Sequence, residues 1–119
     1  MNRLNNVPNR IYEATVEAVR MAPDDRRVAL IMRHSVRYPI VDEASVYTAA
    51  LTPEGVRLAE EMGARLAAIR PMQWIVTNFI GRCVDTAKAI SRGAEYVTGV
   101  AQDKRLSHPF IEPAWDALP

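Results

Sequence analysis

One cysteine, Cys83, is all the chain has, which excludes an internal disulfide and a zinc site built from thiolates. Together with only two histidines this leaves no metal-ligand set, and neither a metal nor another cofactor is expected. Cys83 has Ala89 six residues on where a cysteine-phosphatase loop needs arginine, so it reads as a small packing residue. No run approaches the roughly 18 apolar residues of a membrane helix. The opening Met1-Asn2-Arg3-Leu4-Asn5-Asn6 lacks the apolar stretch and small-residue cleavage site of a secretory signal. A cytoplasmic setting without membrane contact is expected. The nucleotide loops G-x-x-x-x-G-K-[ST] and G-x-G-x-x-G are absent. The charge excess is small too: 15 basic against 14 acidic residues leaves +1, which gives no general pull toward nucleic acid. Lysine is scarce, with 2 against 13 arginines. Arginine offers a planar fork of donors that fits carboxylate or phosphate, where lysine is a point charge. Composition bias accounts for most of that skew, and only the positions of particular arginines say more.

What remains is 119 residues, 49% apolar and 24% charged, the signature of one soluble globular domain. No repeat or low-complexity tract is visible. Residues 9 to 22 predict a helix, with Asn9 as cap and Ile11, Thr15, Ala18 and Met21 on one side. Val28-Ala29-Leu30-Ile31-Met32, five apolar residues bounded by charges, predicts a strand buried on both faces. Thr52-Pro53-Glu54 is a helix start: a capping hydroxyl, proline in the first turn, and a carboxylate at the positive end. Leu58, Met62, Leu66 and Ile69 then form a core stripe, closed by Pro71. Trp74-Ile75-Val76-Thr77 predicts a second short buried strand, residues 83 to 93 a second helix ending at Gly93, and Tyr96-Val97-Thr98 with Val100 a third strand. Strands alternating with helices imply an α/β fold with a parallel sheet.

In such sheets ligands bind beyond the carboxyl ends of the strands. The first strand runs into Arg33-His34-Ser35-Val36-Arg37-Tyr38-Pro39, and the second into Thr77-Asn78-Phe79-Ile80-Gly81-Arg82 at a helix start. Three arginines, a histidine and helix amides on one patch suit a phosphoryl group. An oriented imidazole there can attack phosphorus, dividing one hard hydrolysis into two easier steps. The bland alternative makes His34 a hydrogen-bonded loop residue and pairs the arginines with Asp42, Glu43 or Asp85.

The heptad Arg33 to Pro39 resembles the RHGxRxP signature of the histidine phosphatase superfamily, which includes acid phosphatases and phosphoglycerate mutases. The likeness continues through Leu51-Thr52-Pro53-Glu54-Gly55 with Ala59 and Gly63, through Thr77-Asn78 to Arg82 and Thr86-Ala87, and through Asp103-Lys104-Arg105-Leu106. It implies a three-layer, mainly parallel sheet with flanking helices. It also implies phosphomonoester hydrolysis through a phosphohistidine on His34, with Arg33, Arg37 and Arg82 binding the phosphoryl group. The partner is then a small phosphorylated molecule or a phosphoprotein. Ser35 stands where the family has glycine, and its hydroxyl could donate to a phosphate oxygen. The family adds a second histidine and an acidic proton donor later in the chain. His108 reads as a surface or hinge residue instead, Glu112 and Asp116 lie in the right direction for a donor, and Glu54, Glu60 and Glu61 read as a solvated helix face. Beside that family the chain reads as truncated: a helical extension over 1–26, a core over 28–106 and a proline-bounded tail over 107–119, all in a single domain. The loop 38–50 and that tail would form the pocket mouth. The other expected function is a non-catalytic domain that binds a phosphorylated ligand or a partner chain. A sheet layer with an open side also invites a homo-oligomer.

Overall fold

The computed structural model describes residues 3–95 and 99–106. Its elements are helix α1 (Arg3–Met21), the single turn α2 (Ser45–Thr48), helix α3 (Pro53–Ile69), strand β1 (Trp74–Thr77), helix α4 (Gly81–Gly93), strand β2 (Gly99–Gln102) and a 3₁₀ turn over Lys104–Leu106.

Helix α3 starts as its sequence dictates. The Thr52 hydroxyl accepts the Gly55 amide at 3.0 Å, satisfying one orphan donor of the first turn, and Pro53 follows the cap. Leu58, Met62 and Leu66 are buried, and half-buried Ile69 packs beside them. Each such side chain contributes about 1.5–3 kcal/mol by leaving water. The opposite face is solvated: Arg57 pairs with Glu54 and Glu61, and Arg92 of α4 with Glu60.

Helix α1 lies on α3 through Tyr12, Val16 and Val19, which meet Met62 and Leu66. The buried face is therefore rotated from the expected one, for Ala18 and Met21 point to solvent and Thr15 is only half-buried. Both stripes have helical spacing; the facing α3 residues choose between them. The helix also begins at Arg3, well before Asn9. Pro8 falls inside it, at the sixth position, where its missing N–H removes one backbone bond of the helix.

Helices α3 and α4 cross with their backbones in near contact. A Cβ on Gly63 would strike the Ile90 carbonyl, and one on Gly93 the Glu60 carbonyl. Ala59, Ala89 and Ile90 fill the remaining space, and Ile75 of β1 packs onto them. The sheet therefore has α4 on one face.

Strands β1 and β2 pair in parallel, Trp74 opposite Gly99 and Thr77 opposite Gln102. The Asp103 amide prolongs the ladder by donating to the Thr77 carbonyl at 2.7 Å. The parallel pairing and the strand at Trp74–Thr77 are as expected, but β1 is not buried on both sides. Trp74 and Val76 alternate onto the bare face and are exposed. The third strand is confirmed only from Gly99 onward, as residues 96–98 lie outside the described part.

The run Val28–Met32 is not a strand. Its backbone joins no ladder and Ile31 is 98% exposed. An apolar run becomes a strand only where a neighbouring backbone completes its hydrogen bonds, and among the described residues β1 pairs only with β2. Both ends of the segment are nevertheless tied down. Arg70 donates to the carbonyls of Ala22, Pro23 and Arg26 at 2.5, 2.7 and 2.8 Å, and Ser35 is held by α4. Among the described residues the architecture is thus a mixed helix–strand fold, with a two-stranded parallel sheet and helices on one face.

Candidate phosphate site

The segment 33–37 hangs between the starts of α3 and the middle of α4. On one side the Val36 carbonyl accepts the Thr52 amide at 3.0 Å and the Thr52 hydroxyl at 3.3 Å, and the Tyr38 amide donates to Ala50 at 2.9 Å. Gly55 has no room for a side chain because Val36 backbone occupies the position of its Cβ. On the other side the Ser35 amide donates to the Thr86 hydroxyl at 3.0 Å, and that hydroxyl donates to the Arg82 carbonyl at 2.7 Å. The loop is thus fastened on both flanks through its own backbone groups, to Thr52 and Ala50 on one side and to Thr86 on the other.

His34 follows from this anchoring. Its Nδ1 lies 2.8 Å from the Ser35 carbonyl, and a carbonyl only accepts. The proton therefore sits on Nδ1 and the lone pair on Nε2. Partial burial pushes the imidazole below its ordinary value of 6.5, the Ser35 hydrogen bond opposes this, and the positive fields of Arg82, Arg33 and Arg37 push it down further. All three arginines thus act on one histidine that is neutral at pH 7.

Arg82 is the most constrained of them. It occupies the first turn of α4 and is 9% exposed. Its Nη1 donates to the Val46 carbonyl of α2 at 2.6 Å, while its Nε is buried with no hydrogen-bond partner. Desolvating a guanidinium donor without an acceptor is unfavourable by about 1–3 kcal/mol, more for a charged group. The helix start beside it is uncapped: Ile80 has no capping side chain, and the Asn78 carboxamide oxygen is used on the Ile80 amide at 3.0 Å. The start of α4 thus combines orphan amides and the positive end of the helix dipole with a guanidinium whose Nε is buried without an acceptor.

Several other arginines differ. Arg20, Arg57, Arg65, Arg70, Arg92 and Arg105 each lie within 4.0 Å of a carboxylate, whereas exposed Arg26 and Arg27 do not, and Arg65 also lies 5.2 Å over the Tyr12 ring. Among the described residues no carboxylate pairs with Arg33, Arg37 or Arg82. Asp42, Glu43 and Asp85 do not fill the role the bland alternative gives them; Asp42 accepts the Ser45 amide instead. Arg37 has its Nη1 on the Tyr38 carbonyl at 3.0 Å.

Ser35 corrects one expectation. Its hydroxyl donates to the Gly55 carbonyl at 2.7 Å and is not offered to a ligand. Its backbone needs no glycine either, because Glu95 is the only non-glycine residue with positive φ among the described residues. Glu54, Glu60 and Glu61 form the solvated face expected of them. His108, Glu112 and Asp116 lie outside the described residues. Thr86 is the positioning residue that sequence reasoning passed over. Four residues after Arg82 it shares that arginine's helix face, which is the signal that could have found it. No cluster of three metal-ligating side chains occurs among the described residues, and none of their helices is long and apolar enough to cross a membrane. Set against protein-family models, curated proteins and solved structures, the chain matches none.

Proposed function

We propose that this protein hydrolyses phosphomonoesters through a phosphohistidine on His34, in a domain of the three-layer, phosphoglycerate mutase-like class. The observation that carries the reading is a neutral imidazole with its lone pair on Nε2, set among three arginines that have no carboxylate partner. The parallel β1–α4–β2 unit, with Arg82 at the start of α4, supports the fold class.

In the first step Nε2 attacks phosphorus, the ester P–O bond breaks, and the alcohol leaves with a proton from water or a carboxylic acid. Arg33, Arg37 and Arg82 hold the equatorial oxygens, whose charge is spread most widely in the transition state. Positive surroundings also favour the neutral histidine over the imidazolium, and only the neutral form has a lone pair to donate. In the second step water attacks the phosphohistidine, the N–P bond breaks, and inorganic phosphate leaves.

Turnover of an aryl phosphate tests this. His34→Ala should abolish it, and Arg82→Ala should lower kcat about 100-fold, the usual loss for one donor to a developing charge. Activity unchanged in His34→Ala refutes the mechanism. A wild-type chain that is stabilised by phosphate but turns nothing over is the non-catalytic binder.

A further inference from the structure

The surface that borders the cationic cluster has a different chemistry from the cluster itself. Between Tyr38 and Ala50 the sequence holds no lysine, arginine or histidine, and two carboxylates, Asp42 and Glu43. Both acids are exposed, and neither is in an ion pair. The same stretch turns large apolar side chains to solvent: Tyr38, Ile40, Val41 at 81% and Tyr47 at 71%.

The segment is held in shape by its own hydrogen bonds. The Ser45 hydroxyl accepts the amides of Val41 and Asp42 at 2.9 and 3.0 Å and donates to the Asp42 carbonyl, while Asp42 accepts the Ser45 amide at 2.8 Å. Two of its carbonyls accept from arginines of the site, that of Tyr38 from Arg37 and that of Val46 from Arg82. A phosphoryl group bound by those arginines would therefore present the rest of its molecule to an apolar rim carrying negative charge.

Resting on the phosphate-site reading above, we propose that the site selects phosphomonoesters whose alcohol part is apolar and uncharged, aryl esters foremost. Tyr38, Val41 and Tyr47 form the specificity surface, and Asp42 with Glu43 discriminates against a second anionic group. Apolar area leaving water supplies the preference, and like-charge repulsion supplies the rejection.

Titration calorimetry with non-hydrolysable phosphonates separates this from the reading on which it rests. Benzylphosphonate should bind the wild-type chain about tenfold more tightly than methylphosphonate, the yield of covering roughly 50 Å² of apolar surface. Propane-1,3-bisphosphonate should bind no more tightly than methylphosphonate. Tyr47→Ala with Val41→Ser should erase the benzyl advantage and leave methylphosphonate affinity unchanged; both positions are exposed, so the fold is not at stake. Equal affinity for the benzyl and methyl compounds, or tightest binding of the bisphosphonate, overturns the inference while leaving the phosphate site standing. Failure of every phosphonate to bind overturns both. An altered self-association in the double variant with an intact benzyl preference would assign the rim to contact between copies and overturn the inference as well.

Discussion

Replacing Thr86 with valine removes one hydroxyl and little else, and that hydroxyl joins α4 to the histidine loop. Thr86 is buried, and valine matches its shape. The bond it donates to the Arg82 carbonyl is expendable, because that carbonyl keeps its helical partner. The bond it accepts is different. The Ser35 amide, 3.0 Å away and partly buried, would lose its acceptor. An unsatisfied donor of this kind costs about 1–3 kcal/mol. In a domain of this size that lowers Tm by roughly 4–12 °C. The Ser35 carbonyl, which holds the His34 proton on Nδ1, would lose its fixed position in the same change. Urea denaturation should show a lower midpoint at constant slope, and phosphate should stabilise the variant less than it stabilises the wild type. Thr86→Ser keeps the hydroxyl and should retain the phosphate response. A Thr86→Val protein with wild-type midpoint and wild-type phosphate response would refute the claim that α4 positions the histidine.

Three further outcomes follow from other parts of the molecule. Because the folded chain holds His34 below 6.5, the unfolded chain takes up its proton first as pH falls. Stability should therefore decline below pH 6.5, level off beneath the folded value, and be unaffected by this group above 6.5; the decline should vanish in His34→Gln, as Tm measured across pH would show. Gly63→Ala drives a methyl into the Ile90 carbonyl, where both groups belong to helical backbone, and should cost about 1–3 kcal/mol or more in a urea titration. Glu95 follows α4 at φ 60°, a conformation that costs an ordinary residue about 1–2 kcal/mol, so Glu95→Gly should raise Tm; a fall would show that the Glu95 side chain matters more than its backbone.

The parts of the fold legible in the sequence are those set by local chemistry. Thr52, Pro53 and Glu54 start α3 through a cap, a fixed φ and a favourable charge, all within four residues of the helix they begin. The helix ends before Pro71 for an equally local reason, since proline cannot continue the hydrogen-bond ladder. The misread parts depend on distant partners. Val28–Met32 has the composition of a central strand but pairs with no backbone among the described residues, and α1 buries Tyr12, Val16 and Val19 because α3 offers Met62 and Leu66 there. Within the site, Arg33, His34 and Arg37 are neighbours in sequence, so their proximity was legible. The place of Arg82 at the start of α4 was legible through the strand-to-helix order. The use of Ser35 and Thr86 as anchors needed the three-dimensional contacts, because a hydroxyl near a phosphate site reads equally well as ligand or as fastening.

The most direct test of the account is to quench the chain during reaction with a ³²P-labelled aryl phosphate and ask what carries the label. A phosphohistidine on His34 requires a phosphoprotein stable in alkali and labile in acid, with the label on the peptide containing His34 and absent from His34→Ala. Turnover without any such label, or the same label on the His34→Ala chain, would contradict it.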